Sequence, residues 1–205
     1  MTPPLRVLLV DDHAAVRAAL RRILEQAGHL VCGEGGACSE VLELCAGTRP
    51  DVVLLDLRLL DGACIQTARA LRARWPALRL VLVTAATDDE AALALALSGA
   101  AGLVLKQPAG LAAALAGVLA ATADAGVRTG GAPAAVSAIG GRLSDLAADP
   151  HGPLTPLERQ VLGHVLAGHT DGQIATAAHL SREAVADVLR RLLAVLGPSG
   201  QGAAA

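Results

Sequence analysis

The chain has 205 residues, 53% of them hydrophobic, and a net charge of −2, a balance that gives no global pull toward nucleic acid or a membrane surface. No apolar run reaches the ~18 residues of a membrane span. Phe and Tyr are absent and Trp75 stands alone, so the core must be aliphatic and an aromatic stacking platform is excluded.

The N-terminus enters a strand by Leu5, so a cleaved secretory leader is not expected and the expected compartment is the cytoplasm. Residues 5–122 alternate strands at 5–10, 29–33, 51–56, 78–84 and 101–105 with helices at 13–27, 39–47, 62–74, 88–98 and 109–122. The first helix places Val16, Leu20, Ile23, Leu24 and Ala27 at 3.6-residue spacing and leaves Arg17, Arg21 and Arg22 off that stripe. Thr87-Asp88-Asp89-Glu90 opens the fourth with a capping box. Gly33-Glu34-Gly35-Gly36 reads as a turn. Cys32, Cys38, Cys45 and Cys64 show neither Cys-x-x-Cys nor zinc-ligand spacing and read as small core residues. Regular strand–helix alternation predicts an α/β fold, a doubly wound five-stranded parallel sheet with right-handed crossovers.

From residue 123 to 153 glycines and prolines break any long periodicity, leaving room for one short helix near Arg142 to Ala148; this reads as a flexible linker. A small all-α unit follows. Thr155-Pro156-Leu157-Glu158 is a helix start with an N-cap, a proline at the first helical position and a closing glutamate. A second helix restarts at Thr170-Asp171-Gly172-Gln173 and runs to about His179. Ser181 caps a third that turns Leu180, Val185, Leu189, Leu192, Leu193 and Leu196 inward. Three short helices with a tight second connection predict a helix-turn-helix.

The stretch Asp51-Val52-Val53-Leu54-Leu55-Asp56 has the continuous apolar run of a strand buried on both faces, and its last carboxylate falls where ligands of open α/β sheets bind. The first strand runs into Asp11-Asp12 at the same edge, the fourth delivers Thr84 and the fifth Lys106. Three carboxylates so placed form an oxygen-rich pocket that suits Mg²⁺. Their mutual repulsion, roughly 4 kcal/mol per pair near ~4 Å at an effective dielectric of 20, calls for a cation and for Lys106. A haloacid-dehalogenase-like phosphatase would need an acid where Arg58 stands. A dinucleotide fold would need a glycine-rich turn where Asp11-Asp12-His13 stands.

Val10-Asp11-Asp12-His13, Leu55-Asp56-Leu57-Arg58-Leu59, Thr84-Ala85-Ala86 and Gly99-Ala100-Ala101-Gly102-Leu103-Val104-Leu105-Lys106 together resemble a flavodoxin-like response-regulator receiver domain. With Leu154 to Gly197 added, the chain resembles a two-component response regulator of the NarL/LuxR type, with a receiver at 1–122, a linker at 123–153, a helix-turn-helix at 154–197 and a tail at 198–205. The resemblance implies that Asp56 accepts a phosphoryl group from a sensor histidine kinase. It implies that Asp11, Asp12, Asp56 and the Arg58 carbonyl hold Mg²⁺, and that Thr84 and Lys106 engage phosphoryl oxygens. Such domains hydrolyse their own acyl phosphate slowly without being enzymes in the usual sense, and they dimerise through the face made by the fourth helix, fifth strand and fifth helix. Two residues depart from the pattern: Leu103 stands where relatives carry the aromatic that moves with Thr84, and Leu60 replaces a proline.

The output unit is expected to regulate transcription by binding double-stranded DNA through Arg182, Ala186, Arg190 and Arg191. Its field is weak. Within 154–197 four arginines (Arg159, Arg182, Arg190, Arg191) face four acids (Glu158, Asp171, Glu183, Asp187), and Glu183 and Asp187 share the outward face of the last helix. Gly197-Pro198-Ser199-Gly200 is a poor start for the dimerising fourth helix of relatives. The alternative reading is therefore a phosphorylation-gated interaction module whose helix-turn-helix no longer reads DNA.

Overall fold

The computed structural model describes residues 3–59, 64–85, 94–107, 110–121, 128–130, 143–167 and 169–196. Strand β3 (Val52–Asp56) is buried along its whole length, as a central parallel strand requires. It pairs in parallel with β1 (Arg6–Val10) on one side and β4 (Arg79–Thr84) on the other. With β2 (Leu30–Gly35), β5 (Gly102–Leu105) and β6 (Arg128–Gly130), the sheet order is β2-β1-β3-β4-β5-β6. Five of these strands are those expected from the sequence. The sixth falls in the stretch read as linker, where Arg128, Thr129 and Gly130 pair with Gly102, Leu103 and Val104. Three residues carry no usable periodicity, and only the open edge of β5 gives them a partner.

The second strand is longer than expected. Gly33, Glu34 and Gly35 continue the ladder opposite Leu8, Leu9 and Val10 after an irregularity at Val7/Leu8, so the glycines belong to a strand and not to a turn. A Cβ on Gly35 would lie 2.8 Å from Leu44 Cδ1, which explains the glycine by the close approach of α2 (Val41–Thr48) to the strand.

Side chains alternate between the two faces of the sheet. Val7, Leu9, Val52, Leu54, Val81, Val83 and Val104 form one core with Leu20 and Leu24 of α1 (Ala14–Gln26) and Leu115, Val118 and Leu119 of α5 (Leu111–Ala121). The intervening Leu8, Val53, Leu55, Leu80, Leu82 and Leu103 are buried as well, as are Val41 and Cys45 of α2 and Ile65, Ala68 and Leu71 of α3 (Cys64–Arg74). Each fully buried leucine contributes about 1.5–3 kcal/mol, so aliphatic packing suffices without Phe or Tyr.

By its contacts the chain divides into two compact units, Met1–Ala86 with Ala100–Gly131, and Thr87–Gly99 with Ala132–Ala205. The first unit runs past the expected boundary at 122 because β6 joins its sheet. By contacts the helical stretch α4 (94–98) groups with the second unit. Its Ala94, Leu95 and Leu97 are buried.

The second unit also holds a short helix α6 (143–148), within the span left open for one, and three more helices: α7 (Pro156–Leu166), α8 (Asp171–Ala177) and α9 (Arg182–Leu196). The starts of α7 and α8 are set by reciprocal capping boxes, Thr155 with Glu158 and Thr170 with Gln173. Ser181 Oγ accepts from Ala184 N at 3.1 Å ahead of α9. His179 takes φ 55° between α8 and α9, and α8 ends at Ala177, two residues before the expected stop. Val185, Val188, Leu189 and Leu192 are buried. The capping box at 87–90, Leu60, the side chains of Leu193 and Leu196, and the tail from 197 lie outside the described residues.

Candidate functional site

Parallel pairing brings the acids together. Val10 of β1 stands opposite Leu55 of β3, so the next residues along, Asp11 and Asp56, emerge side by side at the C-terminal edge of the sheet. Both are buried, 1% and 3% exposed. Two strands away, the backbone N–H of Lys106 donates to the Thr84 carbonyl at 2.7 Å, which fixes where β5 ends beside the fully buried Thr84. From there the Lys106 ammonium reaches back: Nζ lies 2.6 Å from Asp11 Oδ2 and 2.6 Å from Asp56 Oδ2. The second Asp56 oxygen, Oδ1, accepts from Arg58 N at 3.1 Å. Asp11 Oδ1 accepts from His13 N at 2.8 Å, and His13 Nδ1 lies 2.5 Å from Asp12 Oδ1.

Asp11, Asp12, Asp56 and Lys106, each singled out from sequence, thus form one cluster. One ligand atom each from Asp11, Asp12, His13 and Asp56 lies within 4.8 Å of the others. Unit charges at that spacing repel by about 3.5 kcal/mol at an effective dielectric of 20. Lys106 aligns a hydrogen bond on Asp56 but leaves the equally close Asp11 Oδ2 paired by charge alone, a buried oxygen without a hydrogen bond. A spare buried carboxylate oxygen beside other carboxylates is hard-cation chemistry, and these residues fit Mg²⁺.

Sequence reasoning missed three neighbours of the cluster. Arg17 lies off the apolar stripe of α1, yet its Nη1 donates to the Asp11 carbonyl at 2.5 Å while its Nε lies 3.6 Å from Glu34. His13 was noted only as part of a motif. Cys64, read as core, is buried but also donates its thiol to the Asp56 carbonyl at 3.2 Å. Spacing after Asp11 offers a signal for the first two: the chain turns from strand into helix there, so the next few side chains stay close. Nothing local signals the third. Leu103 is buried in β5, opposite Leu82. The dimer face expected around it includes residues 88–93, 109 and 122, which lie outside the described ones.

In the second unit Arg182, Arg190 and Arg191 are exposed, while Ala186 is half-buried instead of fully outward. Arg190 pairs with Asp187 on its own helix, and Arg191 Nε lies 3.8 Å from Glu158 of the α7 cap. Arg182 lies over Gly172, where a Cβ would come within 3.1 Å of its Nη2.

Residues 7–116 match the response regulator receiver domain. The chain belongs to the response regulator family. It is 39% identical over 196 residues to the DNA-binding transcriptional activator DevR/DosR of Mycobacterium tuberculosis, covering 94% of this chain and 88% of that protein. It is 33% identical over 204 residues to the probable transcriptional regulatory protein NarL of the same species, covering 97% of this chain and 91% of that protein. Among solved structures it resembles a LuxR-family two-component response regulator from Aurantimonas sp. SI85-9A1. That match has a TM-score of 0.60 and 29% identity, and it covers 66% of this response regulator and 97% of the other chain. The α/β sheet followed by a helical C-terminal unit is therefore the architecture of a LuxR-type response regulator. No helix among its described residues is long and apolar enough to cross a membrane.

Proposed function

We propose that this response regulator is phosphorylated on Asp56 by a sensor histidine kinase and uses its C-terminal helices to regulate transcription on double-stranded DNA. The observation that carries the first half is the Lys106 ammonium held 2.6 Å from both Asp11 and Asp56. An Asp56 carboxylate oxygen attacks the phosphorus of a phosphohistidine; the new P–O bond forms as the P–N bond breaks, and the imidazole leaves. Transfer of this kind depends on positioning and on neutralising the equatorial oxygens. Asp11, Asp12, Asp56 and the Arg58 carbonyl would hold Mg²⁺, which would supply part of that neutralisation. Lys106 swings its ammonium from the carboxylate pair to one phosphoryl oxygen. The Thr84 hydroxyl donates to another, and Arg58 N keeps the carboxylate oriented. Slow hydrolysis of the acyl phosphate is the only chemistry assigned to the protein itself. The kinase reaches it in the cytoplasm.

Asp56→Asn tests this half. It abolishes labelling by acetyl phosphate or a phosphorylated kinase in Mg²⁺, and undiminished labelling would remove the acceptor.

The second half rests on the 94% coverage by a relative named as a DNA-binding activator, and on exposed Arg182, Arg190 and Arg191 along α9. A specific observation favours the other reading, a phosphorylation-gated interaction module. Two of the three arginines are already paired internally, with Asp187 and Glu158. A gel-shift titration at low salt, with and without phosphorylation, separates the two: a shift that phosphorylation tightens supports DNA binding, and none supports the interaction module.

A further inference from the structure

Two cysteines meet directly behind the acceptor. Cys38 opens the 3-10 turn Cys38–Glu40 after β2, and Cys64 stands in α3 just beyond the segment that follows Asp56. Their Sγ atoms are 3.0 Å apart, and both residues are 2–3% exposed. A disulfide needs about 2.0 Å between the sulfurs, so closing it takes a movement of about one ångström. Cys64 also donates its thiol proton to the Asp56 carbonyl at 3.2 Å. One side chain therefore touches both the second thiol and the backbone of the acceptor residue.

We propose that Cys38 and Cys64 are a redox modification site, which hydrogen peroxide converts to an intramolecular disulfide that slows phosphorylation of Asp56. One sulfur attacks a peroxide oxygen as the O–O bond breaks, giving a sulfenic acid and one water. The second sulfur then displaces the sulfenic oxygen as a second water, forming the S–S bond. Two thiols are oxidised by two electrons, the peroxide is reduced, and both thiol protons leave in water. Burial selects a small oxidant over a bulky disulfide such as oxidised glutathione.

The disulfide acts on the acceptor in two ways. It consumes the proton that the Asp56 carbonyl now accepts, and it ties the turn after β2 to the start of α3. Arg58, whose N–H orients the Asp56 carboxylate, follows the acceptor by two residues, so a shift of the Asp56 backbone moves that donor too. This effect on labelling rests on the reading of Asp56 as phospho-acceptor. Formation of the bond does not.

The test uses the full chain. After treatment with hydrogen peroxide, thiols alkylated under denaturing conditions fall from four to two, and peptide mapping finds the 38–64 pair. Cys38→Ala and Cys64→Ala each abolish that pair, with circular dichroism checking that both variants fold. Acetyl phosphate labelling in Mg²⁺ falls at least fivefold on oxidation and returns with dithiothreitol. In Cys38→Ala the rate is insensitive to peroxide. Four alkylatable thiols after oxidation, or a 32–45 pair in place of 38–64, would overturn the site. Equal labelling of reduced and oxidised protein would overturn its effect. Absence of labelling even in the reduced protein would count against the acceptor reading and leave the mapped disulfide standing.

Discussion

Replacing Lys106 with Met removes the ammonium while keeping an unbranched apolar stem in place of the lysine chain. In the wild-type protein that ammonium lies 2.6 Å from two carboxylates whose side chains are only 2% and 3% exposed. Its loss leaves Asp11 and Asp56 facing each other inside a 4.8 Å cluster, where two unit charges repel by about 3.5 kcal/mol at an effective dielectric of 20. Removing one partner of a buried ion pair costs about 3–5 kcal/mol, the same range reached independently. Lys106→Met is therefore expected to lower the unfolding free energy of the first unit by about 3 kcal/mol in EDTA. Trp75 is the chain's only aromatic residue and follows α3 in this unit, so its fluorescence in a urea titration reads this transition alone. Millimolar Mg²⁺ should recover a large part of the loss, because a divalent cation replaces the missing charge. A loss below about 1 kcal/mol, unchanged by Mg²⁺, would refute the claim that charge crowding governs this edge of the sheet.

Other consequences can be measured separately. With Leu103 in place of an aromatic, beryllofluoride should change amide protection across residues 102–121 less than in aromatic-bearing relatives; large changes there would show that leucine transmits the signal. If α9 binds DNA through two or three phosphate contacts per monomer, the slope of log K against log salt should be about −2 to −3, and Glu183→Lys with Asp187→Lys should tighten non-specific binding. A steep slope with nanomolar affinity in the wild type would reveal a basic surface that these residues do not provide. His29 Nδ1 accepts from Leu5 N at 3.3 Å, and burial, helped by Arg79, lowers its pKa. The fold thus prefers the neutral ring, so its contribution is complete above the ordinary value of about 6.5 and is lost as pH falls from there through the lower folded value. A urea midpoint for Trp75 that drops over that window in the wild type, but less in His29→Gln, is the expected result; equal drops would remove His29 as the cause. Thr155→Ala should cost the second unit about 1 kcal/mol by breaking the α7 capping box, read as a lower melting point in circular dichroism.

Sequence alone determined the features that rest on local pattern. The all-apolar run before Asp56 requires a strand buried on both faces, and five such signals alternating with amphipathic helices leave little besides a doubly wound sheet. The acids, Thr84 and Lys106 were legible because strand ends in a parallel sheet share one edge, so position along each strand already implies proximity. Thr155-Pro156-Leu157-Glu158 and Thr170-Asp171-Gly172-Gln173 fixed helix starts because a cap is satisfied within four residues. Only the tertiary structure decided what depends on partners distant in the chain. Arg128–Gly130 becomes a strand because β5 offers an open edge, and Gly33–Gly35 stays in the sheet because β1 continues opposite it. Arg191 counts as a basic residue in the sequence, but the folded chain sets it against Glu158 of α7. Cys38 and Cys64 read as two separate core thiols until the fold brings them 3.0 Å apart, although they stand 26 positions apart in the chain. Composition and periodicity describe a residue's own segment. The charge it meets and the sulfur it touches are set by the long-range packing of that segment against others.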